Sequence, residues 1–272
     1  MFAREIPKSG QEIPVIGLGT WRTFDVGSSD RARKPLIEVL RRFSDAGGRV
    51  IDSSPMYGRS EEVVGDLKSH VANPFIATKV WTHGRESGIE EMERSLRRLR
   101  VNQIDLMQIH NLVDWQTHLQ TLRHWKSSGK IRYLGITHYQ TNAFPALEDI
   151  MRREEDIDFV QLPLSIELPD AEEKLLPVAE EKGIAVIVNR PFEGGALLRR
   201  VRRSPLPEWA EQFGCKSWSE LFLRYIVSHP SVTCVIPATG NPDHLSENLR
   251  AGEGRMLSMH ERARLRALVT QR

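Results

Sequence analysis

Eight short apolar runs, beginning near residues 15, 49, 75, 104, 133, 159, 184 and 233, constrain the fold of this chain more than any other feature. They are mostly about 26 to 34 residues apart, and each is followed by a helical pattern. A strand, its crossover helix and the next parallel strand need roughly 30 residues, so the spacing predicts βα units in series. Eight such units in 272 residues, with no linker, predict an α/β fold, a (β/α)8 TIM barrel. A doubly wound open sheet is the second architecture that the pattern allows. The whole chain, 1–272, is expected to be one barrel domain.

Helices are read from apolar spacing and caps. Leu36, Val39, Leu40 and Phe43 share a face, and Gly47-Gly48 ends that helix. Val63, Val64 and Leu67 mark the next, with Ser60 as N-cap. Ser87 with Glu90 reads as a capping box opening a third. Leu119, Leu122 and Trp125 mark a fourth, ended by Gly129, and Phe144, Leu147 and Met151 a fifth. Further helices are predicted over about 171–182, after Ser217, from about Pro242 and from Ser258. Residues 5–15 read as a hairpin around Lys8-Ser9-Gly10-Gln11. Gly17 and Gly19 in the first core strand allow close approach of a ligand or of packed side chains. They are not a dinucleotide fingerprint, since the third glycine and following helix are missing.

Four polar residues stand at or just beyond strand ends. Asp52 closes Arg49-Val50-Ile51, and Tyr57 follows on a loop broken by Pro55 and Gly58. Lys79 follows Phe75-Ile76-Ala77-Thr78, and His110 follows Ile104 through Ile109. Singly, each has a bland explanation: a turn, a surface charge, a satisfied histidine. In a barrel, every strand's C-terminus opens on one face, where catalytic groups sit. That architecture makes the four a candidate acid–base constellation.

Composition narrows the classes. Hydrophobic residues make up 40%, ample for a large core at this length. Net charge is +2 with both signs interspersed, which argues against nucleic acid and membrane partners. Cys215 and Cys234 lack metal-type spacing, so no metal site and no disulfide framework are expected. The N-terminus lacks a signal-peptide apolar run, and a cytoplasmic location is the default. An export signal outside this sequence is left open.

With these elements placed, the chain resembles the aldo-keto reductases nearly end to end, in their bacterial form with a short C-terminus. The residues that carry the resemblance are Gly17-Leu18-Gly19-Thr20-Trp21, Asp52 through Gly58 with Ser60-Glu61, and Thr78-Lys79. Asp105 through His110, Gly129 through Gly135, Gln161, Ile236-Pro237 and Glu247-Asn248 complete them. The resemblance implies the same barrel, closed at its base by the N-terminal hairpin. It implies reduction of aldehyde or ketone carbonyls to alcohols by hydride transfer from a nicotinamide cofactor, with Tyr57 as general acid. A free Tyr, with a pKa near ~10, is a poor acid–base group at neutral pH. Lys79 is expected to lower that value, Asp52 to hold Lys79 charged, and His110 to orient the carbonyl oxygen.

The resemblance also implies the cofactor contacts. Gly19, Thr20, Trp21 and Asp52 would lie near the nicotinamide, and Gln161 would bond its carboxamide. Thr137-His138 stands where the family usually has Ser-Asn. Asn189, followed by Arg190-Pro191-Phe192, stands where a stacking Tyr is usual, so Phe192 or another ring would have to stack. Pro237, Ala238, Thr239 and His244 stand in the phosphate region without the usual Lys/Arg clamp, and Glu247 and Asn248 fit the adenine contacts. Thr239 and the helix N-terminus after it are expected to hold an anion. NADP(H) is favoured and NAD(H) possible. The long gap after the seventh strand holds Arg199, Arg200, Arg202 and Arg203, which could meet phosphates or be a solvated helix end, and it reads as a loop that covers the ligand.

Trp21, Tyr57, Trp81, His110 and Trp115 are expected around the substrate. With a short C-terminus the pocket should be open, suiting small aldehydes and dicarbonyls. A monomer or weak oligomer is expected. Two other functions compete: a cofactor-binding sensor or partner barrel with little turnover, and a phosphate-binding barrel isomerase or lyase, which would not need a Tyr–Lys pair.

Overall fold

The structure is a computed structural model and describes residues 1–271. Strands β1 (Ala3–Glu5) and β2 (Glu12–Pro14) pair antiparallel. Eight further strands form one parallel sheet in chain order. They are β3 (Leu18–Gly19), β4 (Val50–Asp52), β5 (Phe75–Val80), β6 (Ile104–His110), β7 (Ile131–Thr137), β8 (Phe159–Pro163), β9 (Ala185–Asn189) and β10 (Cys234–Val235). Parallel bridges from Ile16 to Val235 and from Gly19 to Ala238 join the first strand to the last, so the sheet closes into the predicted (β/α)8 barrel.

The glycines serve that seam. A Cβ on Gly17 would stand 3.0 Å from Ile236 Cγ2, and one on Gly19 would stand 2.8 Å from the Ile236 carbonyl oxygen. The backbones can approach to hydrogen-bond distance, with Gly17 N–H donating to Val235 O at 2.8 Å, only because no side chain intervenes.

Eleven α-helices surround the sheet among the described residues. They are α1 (Asp30–Asp45), α2 (Ser60–Leu67), α3 (Arg85–Leu99), α4 (Trp115–Ser127), α5 (Phe144–Arg153), α6 (Asp170–Lys174), α7 (Leu176–Glu181), α8 (Ala196–Val201), α9 (Trp218–Val227), α10 (Pro242–Arg250) and α11 (Met259–Thr270). Strands buried on both faces pack outward against the helices and inward against each other. The inner cluster contains Phe75, Leu106, Tyr133, Phe159 and Ile187, capped by Ile6 and Ile13 of the hairpin. The Tyr133 hydroxyl lies 2.8 Å from both Ser9 Oγ and Gln11 Oε1, which ties the hairpin across the base.

Two helix starts and the continuity of one helix differ from the sequence reading. Ser60 is the first helical residue rather than the cap, and its hydroxyl turns inward toward Thr20 O at 3.5 Å. α3 begins at Arg85 because Gly84, at φ 86, takes the cap position and donates its N–H to Asp114 Oδ2. Ser87 therefore lies inside the first turn. The helix expected over 171–182 is two, α6 and α7, since Pro177 lacks the N–H that would bond Glu173 and its ring crowds that carbonyl. The caps at Ser217, Asn241 and Ser258 form as side-chain hydrogen bonds. Among the described residues no helix is long and apolar enough to cross a membrane.

Candidate functional site

Parallel register brings the strand ends into a ring. Asp52 closes β4 beside Gly19 of β3 and Ala77 of β5. His110, the last residue of β6, pairs with Thr137 of β7, and Thr137 with Gln161 of β8. Asn189, at the end of β9, pairs with Pro163. Lys79, one residue before the end of β5, points into the same ring.

At its centre is a buried ion pair. Lys79 Nζ lies 2.6 Å from Asp52 Oδ2 and donates to the Ser53 carbonyl at 2.7 Å. Both side chains are almost fully shielded from solvent. Such a pair persists only where its remaining hydrogen-bonding capacity is met. Asp52 Oδ1 accepts from Gln108 Nε2 at 3.1 Å and from Gln161 Nε2 at 2.9 Å. Burial would lower the Lys79 pKa, but the charge of Asp52, supported by Tyr57 and by the Asp52 hydrogen bond, overcomes it and raises the value. Lys79 is therefore held as an ammonium.

Tyr57 stands on the loop after β4, its ring centroid 5.4 Å from Lys79 Nζ. Lys79 does draw its pKa down, as expected from the sequence, yet the net shift is upward. Burial is the larger effect, and the Asp52 charge adds to it. Tyr57 is thus a neutral O–H donor. His110 meets the Tyr57 ring edge to face, at 6.0 Å and 85°. Burial, then Lys79 and His138, push its pKa down to about 3, so the imidazole is neutral. Ser54 Oγ lies 3.1 Å from His110 Nδ1 and accepts the Met56 N–H at 3.4 Å. The Ser54 hydroxyl proton is then free to go to Nδ1, leaving His110 Nε2–H as a donor.

A cavity of about 810 Å3 opens here. Gly19, Thr20, Trp21, Asp52, Tyr57, Trp81, His110, Thr137, Gln161 and Asn189 line one part of it. Pro191, Phe192, Pro237, Ala238, Thr239, His244, Glu247 and Asn248 also lie on its wall. Three expected residues do not. Lys79 sits behind Asp52 and Tyr57. The His138 ring accepts the Gln140 N–H and stacks on Tyr139 at 5.6 Å and 2°. Trp115 begins α4 after Asn111, Leu112 and Asp114, whose left-handed backbone (φ 54, 57 and 45) turns the chain away, so it packs on the core near Arg153.

The phosphate region also departs from expectation. Asn241 Oδ1 accepts the N–H groups of Asp243 and His244, and Thr239 Oγ1 accepts the Asn241 N–H. The first turn of α10 is therefore closed by its own cap rather than open to an anion. Within the arginine cluster, Arg200 pairs with Glu167, while Arg202 reaches the cavity wall along with Leu198 and Val201 of α8.

Two wall residues, Arg22 and Arg190, and one buried beneath the cavity, Gln108, were given no role by the sequence reading. Arg22 and Arg190 both have left-handed backbone (φ 63 and 53) and lie over the Trp21 and Tyr139 rings, at 4.2 and 5.6 Å. Nothing in the sequence signals that conformation at an arginine. Gln108 did carry a signal, a lone amide inside the apolar run Leu106-Met107-Gln108-Ile109.

Fold and site together define a (β/α)8 barrel with its working cavity at the carboxyl ends of the strands. Residues 15–270 match the Aldo/keto reductase family, and the chain belongs to that family of oxidoreductases. The aldo-keto reductase YhdN of Bacillus subtilis is 29% identical over 67% of this chain, a match that spans only 60% of that protein. A glyoxal reductase of Bacillus subtilis is 28% identical over 88% of this chain and 83% of its own length. Among solved structures, an aldo/keto reductase from Klebsiella pneumoniae in complex with NADP and acetate superposes with a TM-score of 0.80. It is 27% identical, covering 96% of this chain and 93% of that one.

Proposed function

We propose that this chain reduces aldehyde and ketone carbonyls to alcohols with a nicotinamide cofactor, NADPH preferred, and with Tyr57 as proton donor. The observation that carries the reading is the buried Lys79–Asp52 pair set behind Tyr57 and a neutral His110 in one cavity. The NADP held by the Klebsiella structure supports the cofactor class.

The cavity fits such a cofactor. Its volume is within the ~300–1,000 Å3 of ligand pockets. Asn189 Oδ1 and Asn111 Oδ1 on its wall are buried without a partner among the described residues, and both can accept from an amide. Gly19, Thr20, Trp21, Thr137, Gln161 and Asn189 would hold the nicotinamide end, and Glu247 and Asn248 the adenine. Phe192, a ring on the cavity wall, would stack in place of the usual Tyr. When bound, the cofactor supplies a hydride to the carbonyl carbon.

The chain's own residues manage the oxygen. His110 Nε2–H donates to the carbonyl oxygen and orients it. Tyr57 O–H gives its proton as negative charge builds there. Lys79 stabilises the phenolate left behind, and Asp52 keeps Lys79 in place and charged. Trp21 and Trp81, 42% and 43% exposed, leave the mouth open. Small aldehydes and dicarbonyls are the substrate class that this mouth favours, and the glyoxal reductase relative agrees with it.

The test is NADPH consumption over a panel of small aldehydes and dicarbonyls, for wild type and Tyr57→Phe side by side. The variant should lose about 10²- to 10⁴-fold in kcat/KM, the span of general acid catalysis, and keep its cofactor affinity. Full activity in Tyr57→Phe would remove Tyr57 from the chemistry. Cofactor binding without turnover on any substrate would favour the sensor barrel.

A further inference from the structure

We propose that Gln108 is a positioning residue for this site: by donating to Asp52 it holds the carboxylate ionised and aimed at Lys79, and so sets how readily Tyr57 gives up its proton. The inference rests on the reading of Tyr57 as proton donor.

The interior of such a barrel is ordinarily filled by bulky branched side chains in layers. On β6, Leu106 fills its place in the inner cluster in that way, and two residues further along the same face Gln108 is fully buried. Its Oε1 has no hydrogen-bond partner among the described residues. A buried orphan acceptor is costly, and a leucine or methionine there would avoid the cost. What the amide provides in return is one N–H to Asp52 Oδ1, at 3.1 Å. The opposite amide orientation would set Oε1 against a carboxylate, so the N–H end must face Asp52. The neighbouring strand makes room: a Cβ on Gly135 would come within 3.3 Å of Gln108 Cγ.

The consequence concerns where one proton resides. In a dry site, Lys79 and Asp52 exist either as an ion pair or as a neutral amine and acid. Each N–H donated to Asp52 favours the ion pair. Gln161 supplies one such donor but also lines the ligand cavity. Gln108 supplies the other from beneath, out of reach of any ligand. Without it, proton transfer from Lys79 to Asp52 becomes easier, and an uncharged Lys79 cannot stabilise the Tyr57 phenolate.

The experiment compares Gln108→Met, close in shape but without a donor, with wild type and Tyr57→Phe. We expect kcat to fall about 10- to 100-fold, the value of one hydrogen bond to a charged group. Carbonyl KM and NADPH affinity should be unchanged. The low-pH limb of the kcat/KM profile should move upward, because the Lys79–Asp52 ion pair has then lost one of the two amide donors that favour it over the neutral amine and acid. Tm should hold or rise, since the orphan acceptor is gone. In Gln108→Glu, activity relative to wild type should rise as pH falls, because only the protonated acid can donate. Wild-type turnover and pH profile in Gln108→Met, alongside a dead Tyr57→Phe, would overturn this inference alone. Lost turnover with a lower Tm and an unmoved pH profile would also overturn it, as a packing role. Full activity in Tyr57→Phe would instead remove the reading on which it rests.

Discussion

Lys79 Nζ and Asp52 Oδ2 meet at 2.6 Å in a place that water barely reaches. The two charges depend on each other. Separately, each would be strongly disfavoured there, and together they form the electrostatic floor under Tyr57.

That dependence predicts an asymmetry in stability. Lys79→Met should destabilise the fold by about 3–5 kcal/mol, because Asp52 is left buried and unpaired. The double variant Asp52→Leu/Lys79→Met should lose clearly less. Urea unfolding of the three proteins measures both values. Equal losses in the single and double variants would show that the coupling is weak.

His110 should make stability fall on the acid side. Its folded value of about 3 lies below the ordinary histidine value of ~6.5. Between those limits the unfolded chain binds a proton that the folded one does not, so stability rises with pH across that window. The slope from this one group is at most about 1.4 kcal/mol per pH unit. His110→Asn should flatten the dependence between pH 4 and 6 in urea titrations. An unchanged slope would mean that His110 titrates normally in the fold.

Arg202 should discriminate between cofactors. It lies on the cavity wall, while the first turn of α10 is closed by Asn241. Arg202→Gln should weaken NADPH binding about tenfold, roughly one charge-assisted contact, and leave NADH nearly unaffected. Fluorescence titration with both cofactors decides it. Equal weakening of both would place Arg202 against a group that the two share.

The barrel was legible in the sequence because its information is local: each strand is a short apolar run, and the runs recur at nearly constant spacing. Helix starts were less so, because caps depend on tertiary partners. Gly84 caps α3 with its N–H tied to Asp114, a residue 30 positions away. Strand ends revealed Asp52, Lys79 and His110, and the loop after β4 revealed Tyr57. Trp115 was misplaced because three of the four residues before it, Asn111, Leu112 and Asp114, have left-handed backbone that reverses the chain, and nothing in the sequence signals that conformation at a leucine. The balance of effects on Tyr57 was not legible either, since it depends on how deeply the ring is buried.

The seam where Gly17 and Gly19 let the first barrel strand meet the last has a consequence for how the molecule is made. Each of the other strand pairings joins neighbours in the chain and can form as soon as both have left the ribosome. The bridge from Ile16 to Val235 waits until every other strand of the barrel has been made. Throughout synthesis the outer edge of β3 is an unpaired template, open to strands of other nascent chains. Closure of the ring therefore removes an aggregation hazard in the same event that completes the cavity wall at Pro237 and Ala238.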